Sequence, residues 1–596
     1  MKKIFLLATA FLFALGLSSC GSSDPAGDHK LEGLYPLYMQ GQHATSLPLY
    51  FLDGVYDLPY LEVNDMIGLV NLLFQLFDKP TQIAVVKNGS VVLCVRANET
   101  YGFNSSLTID FEKDLMRFED YNVFMMKPSS STILDVTSFK FFDAQGRPRL
   151  IKKIAPTYLP HFGDPLEIDL AKYGIDLVIR DGKYLIPLQM VSDIFVAPTF
   201  LNSLYFNGKS IVFESDLSKK SLPANEASRN LYYMGNRGER SAALAQFGYN
   251  ELCLALDLLY GLKEQHGITS FDQLMQNQGA VSMSVSKSVA SSFSLKSYLT
   301  GPSALNADKA IYHLIGDFMD DNHAKWWNFS YLVGENDAYQ PNGASRERLD
   351  ANEKRYKAAR ADTSAGSTAV LGYQKEGNTA FVTFDSFAVA DAFQQDLDKY
   401  YKDDPNTFPD DDTIGLIMKA HHTIVNDPSI ENVVIDLSAN TGGAADTAVF
   451  VAAWFLGEAT VSMKHTTTGA VCATSYRCDA NRDRLFDEND TLGSRKLFCL
   501  VSPVSFSCGN LVPNLFKESE RVTLLGRTSG GGACVVQPLS SAWGTSFRIS
   551  GPQRLCYMKN GSFYDIDRGA EPDYTISDPA DYYKRAALVT YINNLK

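Results

Sequence analysis

Beyond its first twenty residues the sequence lacks any long run of apolar residues. A helix needs about 20 such residues to cross a bilayer, so we expect no membrane-spanning helix in the body of the chain. Positive charge is also in deficit, because 54 lysines and arginines stand against 68 acidic residues and leave a formal net charge of −14. An acidic chain is poorly suited to bind nucleic acid, and we expect no such partner.

Cysteine is scarce too, with nine residues in 596 and no CxxC pair. This density is far below that of a disulfide scaffold, so we do not expect folding to depend on disulfides. Cys472 and Cys478 flank one loop-like segment and are the pair for which we weigh a bridge against free thiols. No cluster of His and Cys has zinc spacing, so we predict no zinc site and no cofactor.

The N-terminus has the features of an export signal. Two lysines precede an apolar stretch from Ile4 to Leu17, and small residues then lead to Cys20. We predict a signal peptide over residues 1–19, lipid modification of Cys20 and a flexible tether over 20–32. The mature chain is then an exported lipoprotein anchored to a membrane of the cell envelope or surface. The alternative is an ordinary cleaved signal with an incidental cysteine.

Composition and periodicity divide the remaining chain into four parts. Residues 33–216 are rich in short alternating runs broken by Asn-Gly and Asp-Gly turns, which predicts a β-rich accessory domain. Residues 217–333 have helical periodicity. Residues 334–367 are polar and are interpreted as a linker or insertion. Residues 368–596 alternate strands with helices, which predicts an α/β domain with a largely parallel sheet.

Ser507 lies shortly after an apolar strand predicted over Leu497–Val501 and directly before a helix predicted over Gly509–Glu518. A hydroxyl at such a turn is exposed at the carboxyl edge of a sheet, beside the unpaired amides of the helix start. This is a suitable place for a nucleophile. The simpler interpretation is that Ser507 only caps the helix.

A second turn, Asn440-Thr441-Gly442-Gly443, follows another predicted buried strand, Val433–Leu437. In a parallel sheet the two strand ends can lie side by side. An amide of Gly442 or Gly443 and that of Cys508 could then bind a tetrahedral oxyanion together. Taken alone, the glycine pair is equally consistent with a tight turn.

Together these segments resemble the tail-specific, or C-terminal-processing, serine peptidases. The resemblance rests on the Asn440–Gly443 turn, the Ser505–Ser507 segment, the glycine-rich Gly526–Gln537 and the closing Gly569–Asp573, which occur in family order over about 230 residues. It implies a crotonase/ClpP-like α/β catalytic domain. The commoner branch uses a Ser-Lys dyad, but Gly532 and Ala533 stand where its lysine is expected.

Asp317–Ala324 instead resembles the histidine motif of the branch typified by the tricorn core protease, which uses Ser, His and Glu. The resemblance implies His323 as general base, Glu571 as its acidic partner and Asn322 as a polar helper. Asp567 and Asp573 compete with Glu571 for this role. A surface histidine and a plain loop carboxylate are the alternatives.

Residues 479–490 space their oxygen-bearing side chains as calcium loops do. The candidate ligands are Asp479, Asn481, Asp483, Asp487 and Asp490. Arg484 occupies the position usually taken by glycine. We weigh a structural calcium ion against a solvated acidic loop.

The sequence therefore predicts a serine endopeptidase that cleaves exported proteins or peptides through an acyl-enzyme on Ser507, with the substrate strand along Gly531 and Gly532. One alternative is a non-catalytic, peptide-binding surface lipoprotein that retains the protease fold. Another is a scaffold whose main function lies in the N-terminal β region. The pattern leaves the oligomeric state open.

Overall fold

The computed structural model describes residues 32–137, 142–143, 145–154, 161–218, 225–277, 294–335, 343–389, 397–409, 411–559 and 562–595. The signal segment, Cys20 and nearly all of the tether lie outside the described residues. Within the described ranges, no helix has both the length and the apolar character needed to cross a membrane.

The N-terminal region is rich in β-structure, as predicted. Its strands are β1 Glu32–Met39, β2 Gln42–Tyr50, β3 Tyr60–Glu62, β4 Ile83–Asn88, β5 Val91–Asn98, β6 Phe103–Asp110, β7 Leu115–Phe118, β8 Ile151–Ile154, β9 Leu166–Asp169, β10 Val178–Arg180, β11 Lys183–Pro187, β12 Ser203–Phe206 and β13 Ile211–Glu214. One sheet has the order β10-β11-β3-β2-β1-β13-β12, and the other has the order β4-β5-β6-β7-β9. Its helices are α1 Val63–Phe77, α2 Tyr121–Phe124, α3 Leu188–Val191 and α4 Ala197–Phe200.

Helix α1 fills the core of this region. Val63, Met66, Ile67, Val70 and Phe74 are buried at spacings of three and four, so they form one apolar face. Burying a side chain of this size contributes about 1.5–3 kcal/mol. This core is continuous with buried residues of the helical segment that follows and of the C-terminal region.

The helical segment follows, again as predicted. It contains α5 Glu226–Tyr233, α6 Ala242–Leu259, α7 Phe271–Asn277, α8 Leu295–Leu299 and α9 Ala304–His313. Ser241 caps α6 by accepting a hydrogen bond from the Leu244 amide. Helix α9 continues into a π-helical turn, Leu314–Met319, and the chain then enters strand β14, Lys325–Asn328.

The stretch interpreted as a linker or insertion contains an ordered helix, α10 Ala344–Ala361. Its sequence is polar almost throughout, and only Leu349 and Tyr356 are buried. Because two buried residues make a weak apolar stripe, the sequence carried little helical signal here. Tyr356 packs edge-on against Tyr582, with ring centroids 5.3 Å apart, which ties α10 to the C-terminal region.

The C-terminal region contains the predicted α/β unit. Its sheet has the order β15-β16-β17-β20-β21-β25. The strands are β15 Gly372–Glu376, β16 Thr379–Thr383, β17 Asn432–Asp436, β20 Lys496–Val501, β21 Val522–Gly526 and β25 Tyr574–Thr575. All neighbours from β16 to β25 pair in parallel, and β15 is antiparallel at the edge. The carboxyl ends of β17 and β20 therefore lie side by side.

Helices cover both faces of this sheet. They are α11 Lys399–Lys402, α12 Thr413–Val425, α13 Ala445–Leu456, α14 Cys508–Ser519 and α15 Arg585–Asn593. Val433 and Ile435 of β17 belong to the core under α12, α13 and α14, whereas Val434 belongs to the core under α15. This alternation is the two-residue period of a strand buried on both faces.

A fourth sheet contains strands from the N-terminal region, the helical segment and the C-terminal region. Its strands include β18 Ala459–His465, β19 Val471–Cys478, β22 Cys534–Ser540, β23 Ser546–Lys559 and β24 Ser562–Asp565. Strand β8 of the N-terminal region pairs with β19, and β14 of the helical segment pairs with β23. The sheet thereby brings the turn that precedes β14 next to the C-terminal α/β unit.

The cysteine pair singled out in the sequence does not form a bridge. Cys472 and Cys478 lie at the start and end of the single strand β19, not on either side of a loop. A disulfide requires Cα atoms less than about 7 Å apart, which an extended segment of this length cannot provide. All eight cysteines in the described part of the chain are buried free thiols.

Candidate active site

Ser507 adopts a strained conformation at the tip of a tight turn. Strand β20 ends at Val501 and α14 begins at Cys508, so five residues and Ser507 make the connection. The backbone of Ser507 has φ 57° and ψ −121°, a region that costs a non-glycine residue about 1–3 kcal/mol. The side chain is half-buried, whereas Phe506 and Cys508 on either side are buried. The turn therefore presents one hydroxyl at the carboxyl edge of the sheet.

Hydrogen bonds to the end of β17 fix this turn. The Ser502 hydroxyl donates to Ser438 O at 2.6 Å, and the Ser505 hydroxyl donates to Leu437 O at 2.7 Å. The Phe506 amide donates to Asn440 O at 3.2 Å. Because both hydroxyls are buried, the free energy of their bonds holds the two strand ends together.

The Asn440–Gly443 turn lies directly against Ser507. A β-carbon added at Gly442 would lie 2.7 Å from Ser507 Cβ and 3.2 Å from Ser507 Oγ. Gly442 and Gly443 have φ values of 106° and 141°, which residues with side chains rarely adopt. Only glycine at position 442 lets this turn approach the hydroxyl so closely.

The three amides considered for an oxyanion site differ in their availability. The Gly442 amide donates to Asn440 Oδ1 at 2.9 Å and is already used. The amides of Gly443 and Cys508 have no hydrogen-bond acceptor among the described residues. Cys508 is the first residue of α14. The free amides at the start of a helix favour a negative charge bound next to them. The Cys508 thiol also donates to Gly443 O at 3.3 Å, which keeps the two amides near each other.

The glycine-rich segment passes on another side of Ser507. Gly531 O accepts a hydrogen bond from the Ser507 amide at 2.9 Å. A β-carbon at Gly532 would lie 2.6 Å from the Phe506 ring and 3.0 Å from Ser507 N. The Asp567 carboxylate accepts from the amides of Gly532 and Ala533, at 3.0 and 2.9 Å. Asp567 thus holds this segment in place against the serine.

His323 lies in the turn between the π-helical Leu314–Met319 and β14. Its amide donates to Asp321 Oδ1 at 2.9 Å, and its carbonyl accepts from Arg548 Nε at 2.8 Å. The ring packs against Phe506, the residue before Ser507, with centroids 4.7 Å apart. His323 and Phe506, which are far apart in the sequence, are therefore in contact at the end of β20.

Burial, with a further contribution from the Arg548 charge, lowers the pKa of His323 to about 3. The imidazole is therefore neutral near pH 7, which is the form that accepts a proton. Its Nδ1 is buried and has no hydrogen-bond partner. In the described residues no hydrogen bond joins the ring to the Ser507 hydroxyl.

In the described residues no hydrogen bond or ion pair joins the ring of His323 to Glu571, Asp567 or Asp573. Glu571 is exposed, and its backbone carbonyl accepts from Lys517 Nζ at 2.8 Å. Asp573 pairs with Lys517 at 3.0 Å and accepts from the Leu524 amide. Lys517, the first lysine after the serine, is thus engaged well away from it. Among the described residues the carboxylate of Glu571 makes no hydrogen bond or ion pair.

Comparison with known proteins agrees with this geometry. Residues 405–576 match the model of peptidase family S41. The matched segment is less than a third of the chain. This segment contains Ser507, the Gly442–Gly443 turn and Glu571 but not His323, which the preceding helical segment supplies. No curated protein matches the chain significantly.

Several solved structures show a loose likeness to the chain. The photosystem II D1 C-terminal processing protease shares 16% identity at a TM-score of 0.26, over 37% of this chain and 51% of that one. A lipoprotein from Streptococcus agalactiae shares 12% identity at 0.32, over 58% and 96%. The tricorn protease shares 10% identity at 0.31, over 86% and 47%. This chain thus matches about half the length of the first and the third. Because these TM-scores lie well below 0.5, the likenesses say nothing about substrate or mechanism.

Hydrogen bonds within the chain organise the loop of residues 479–490, for which we weighed a calcium ion. Asp490 Oδ1 accepts from the amides of Ala480 and Asn481, and Asp487 caps the 3₁₀ turn Glu488–Asp490. Asp479 Oδ2 accepts from the Tyr401 hydroxyl. Several of the oxygens that the sequence suggested as cation ligands therefore bond to the protein itself, whereas Asp479 Oδ1 is buried without a partner. In the parts of the chain that the structure describes, no group of three or more His, Cys, Asp or Glu residues is arranged to hold a metal ion.

Asp321 is the site residue that sequence reasoning missed. It lies two positions before His323, its Oδ1 binds the His323 amide, and its Oδ2 is buried without a partner. Asn322 Oδ1 is buried and unpaired as well. The acidic residue closest in sequence to the histidine was the available signal, but carboxylates beside a loop histidine are common and carry little information alone.

Proposed function

We propose that this protein is a serine peptidase that hydrolyses peptide bonds through an acyl-enzyme on Ser507. The observation that carries the proposal is the conformation of Ser507, held with positive φ beside Gly442 and beside two unpaired amides. Strain of this kind persists only where the surroundings enforce it, and it is concentrated at functional sites. The peptidase S41 match over residues 405–576 supports the same reaction class.

In the proposed reaction, neutral His323 takes the Ser507 proton as the hydroxyl oxygen attacks the scissile carbonyl carbon. The carbonyl oxygen gains negative charge and is bound by the Gly443 and Cys508 amides. The tetrahedral intermediate collapses, and His323 returns the proton to the leaving amine. Water then attacks the acyl-enzyme with the same help, which releases the second product and restores the serine.

In this proposal, the hydrogen bond between Ser507 and His323 forms when the substrate is bound. Catalytic hydrogen bonds are often long or poorly aligned before substrate binds. The ring of His323 lies against Phe506, the residue before Ser507, and the proposal requires the ring and the Ser507 hydroxyl to meet when substrate binds. Asn322, to which the family resemblance assigns a supporting role, is part of the same proposal, and an acidic residue beside His323 completes it.

We propose that the substrate is an exported protein or peptide, bound in an extended form along Gly531 and Gly532. These glycines lead into β22, and their backbone runs past Ser507. An extended peptide can bind such a segment through main-chain hydrogen bonds.

We also propose that lipid modification of Cys20 anchors the protein to a membrane. The wild-type protein should then partition into a detergent phase, and Cys20→Ser should not.

Hydrolysis of an unfolded protein such as casein tests the proposed activity. The wild-type protein should release fragments, and Ser507→Ala should release none. Ser494→Ala is the matched control, because Ser494 is an exposed serine of the same domain and should leave the rate unchanged. Equal hydrolysis by wild type and Ser507→Ala would remove Ser507 from the reaction.

A second candidate function is peptide binding without cleavage. It is favoured by one observation, the unpaired Nδ1 of His323 with no bond from the ring to Ser507 in the described structure. A non-catalytic protein would bind an extended peptide with similar affinity in wild type and Ser507→Ala, and neither protein would release fragments. Hydrolysis by the wild type alone would rule this candidate out.

A further inference from the structure

Three consecutive residues at the candidate site each bury a polar atom that has no hydrogen-bond partner. These atoms are Asp321 Oδ2, Asn322 Oδ1 and His323 Nδ1. Buried polar groups in folded proteins are nearly always paired, because an unpaired one forfeits its hydration. A run of three in one turn therefore indicates a network that is complete only in another state of the site.

The unpaired atoms are complementary in type. When the other ring nitrogen of His323 accepts the serine proton, Nδ1 must carry the hydrogen and needs an acceptor. Asp321 Oδ2 and Asn322 Oδ1 are both acceptors without a donor. Only the carboxylate also stabilises the imidazolium that forms during the reaction, because it brings a negative charge.

Asp321 is anchored where such an acceptor is needed. Its Oδ1 already binds the His323 amide at 2.9 Å, which fixes the carboxylate relative to the histidine backbone. Two Cα atoms separated by two peptide bonds are at most about 7 Å apart, a gap that an aspartate and a histidine side chain can span.

The surroundings of Asp321 suit a carboxylate that works while buried. The hydroxyls of Tyr260 and Ser550 lie beside it, and both are buried without a completed hydrogen bond. Burial raises the pKa of Asp321, while Ser550 and the His323 amide oppose that shift. Arg548, which holds the His323 carbonyl, adds a positive charge nearby. Further titratable groups near Asp321 are His266 and Asp567.

We propose that Asp321 is the positioning residue that accepts the Nδ1 hydrogen of His323 and stabilises its protonated form during the reaction. The inference rests on the proposed function. It assigns to Asp321 the part that the family resemblance gives to Glu571, whose side chain is exposed while its backbone is held by Lys517. Asp321 acts through His323 and touches no substrate.

The test is the rate at which a fluorophosphonate modifies Ser507, measured in the full chain between pH 3 and 9. We compare the wild type with Asp321→Asn, Glu571→Gln and Ser507→Ala. Asp321→Asn keeps the oxygen that caps the His323 amide but removes the charge. Asp321→Ser, whose hydroxyl can also cap that amide, is the second variant if the first unfolds. Thermal unfolding of each variant checks that it is folded.

The proposal expects Asp321→Asn to react at least about 100-fold more slowly at pH 7, in line with the usual contribution of an oriented general base. A carboxylate beside an imidazolium raises its pKa, so Asp321 should place the acidic limb of the wild-type profile above the pKa of about 3 that burial gives the unpaired His323 ring. The proposal expects this limb to move about one unit or more to lower pH in Asp321→Asn. A merely structural role would change the unfolding temperature and leave this limb in place. Glu571→Gln should react like the wild type.

The outcomes separate the inference from the function on which it rests. A wild-type protein that does not react, or a Ser507→Ala variant that still does, overturns the proposed function. A reactive wild type together with an unshifted limb and less than about threefold loss in Asp321→Asn overturns the role of Asp321 alone. An equal loss in Glu571→Gln and Asp321→Asn would also overturn it, because the role would then not be specific to Asp321.

Discussion

Gly442 lies so close to Ser507 that a β-carbon at position 442 would be 2.7 Å from Ser507 Cβ and 2.9 Å from the Phe506 carbonyl oxygen. The two residues stand at the ends of adjacent parallel strands, β17 and β20. The contact explains why the turn after β17 carries glycine at this place. It also makes the candidate site sensitive to the smallest side chain.

Gly442→Ala should therefore abolish the reactivity of Ser507. The added methyl group must displace either the serine side chain or the Phe506 carbonyl, and the φ of 106° adds backbone strain. We expect the rate of fluorophosphonate labelling to fall by about 100-fold or more, the size of effect seen when an oxyanion site is disturbed.

Gly469→Ala is the matched control for this substitution. Gly469 also has positive φ, 71°, but no atom lies within 4 Å of its added β-carbon. It should lose about 1 kcal/mol of stability through strain and keep its labelling rate. Equal rates in Gly442→Ala and wild type would contradict the close approach of the turn to Ser507.

Ser507→Gly should stabilise the fold while removing the nucleophile. Glycine adopts positive φ without the steric cost that serine pays at φ 57°, so relief of strain outweighs its greater chain entropy. We expect a gain of about 1 kcal/mol in the free energy of unfolding, measured by urea denaturation. Ser507→Ala keeps the strain and should gain little. A less stable Ser507→Gly would contradict the strained conformation.

The strands and helices around Ser507 were largely predictable from the sequence, whereas the pairing of strands from distant parts of the chain was not. The strand Asn432–Asp436 contains a continuous apolar run, and the parallel alternation placed the ends of β17 and β20 together. The pairing of β8 with β19 joins residues more than 300 positions apart, and no local pattern encodes it. Asp321 was missed for the same reason, since its significance depends on which buried atoms remain unpaired.

The ion pair between Arg585 and Asp436 should be a main support of the Asn440–Gly443 turn. Both side chains are fully buried with the guanidinium and carboxylate 2.7 Å apart, and Asp436 also accepts from the Ser438 amide. Arg585→Met leaves the carboxylate buried without its partner. We expect it to lower the free energy of unfolding by about 3–5 kcal/mol, measured by urea denaturation.

Lys584→Met provides the comparison for this ion pair. Lys584 pairs with Asp581 at 2.9 Å, but both side chains are well exposed. Its loss should cost less than about 1 kcal/mol. Similar losses in the two variants would mean that the buried pair contributes no more than a surface pair.

Stability should fall as pH rises through neutrality because of a buried carboxyl pair. Burial raises the pKa of Asp193 to about 7, and burial together with Asp193 raises that of Glu251 well above its usual value. Groups whose pKa is raised on folding contribute stability at low pH and lose it as pH rises through the folded-state value. The unfolding temperature of the wild type should therefore decrease between pH 5 and 8 relative to Glu251→Gln.

Glu226→Gln is the control for the carboxyl pair, because Glu226 is an exposed carboxylate at the start of α5. It should follow the wild type across this range. A wild type and Glu251→Gln with parallel pH profiles would show that the pair does not share a proton.

The most direct test of the central claim is to map the covalent adduct formed when a fluorophosphonate reacts with the native protein. Mass spectrometry of the digested protein should find a single adduct, on the peptide that contains Ser507. The adduct should be lost in His323→Ala and after prior unfolding in urea. An adduct on another residue, or equal modification of Ser507 in the native wild type and in His323→Ala, would contradict an imidazole-activated serine at the end of β20.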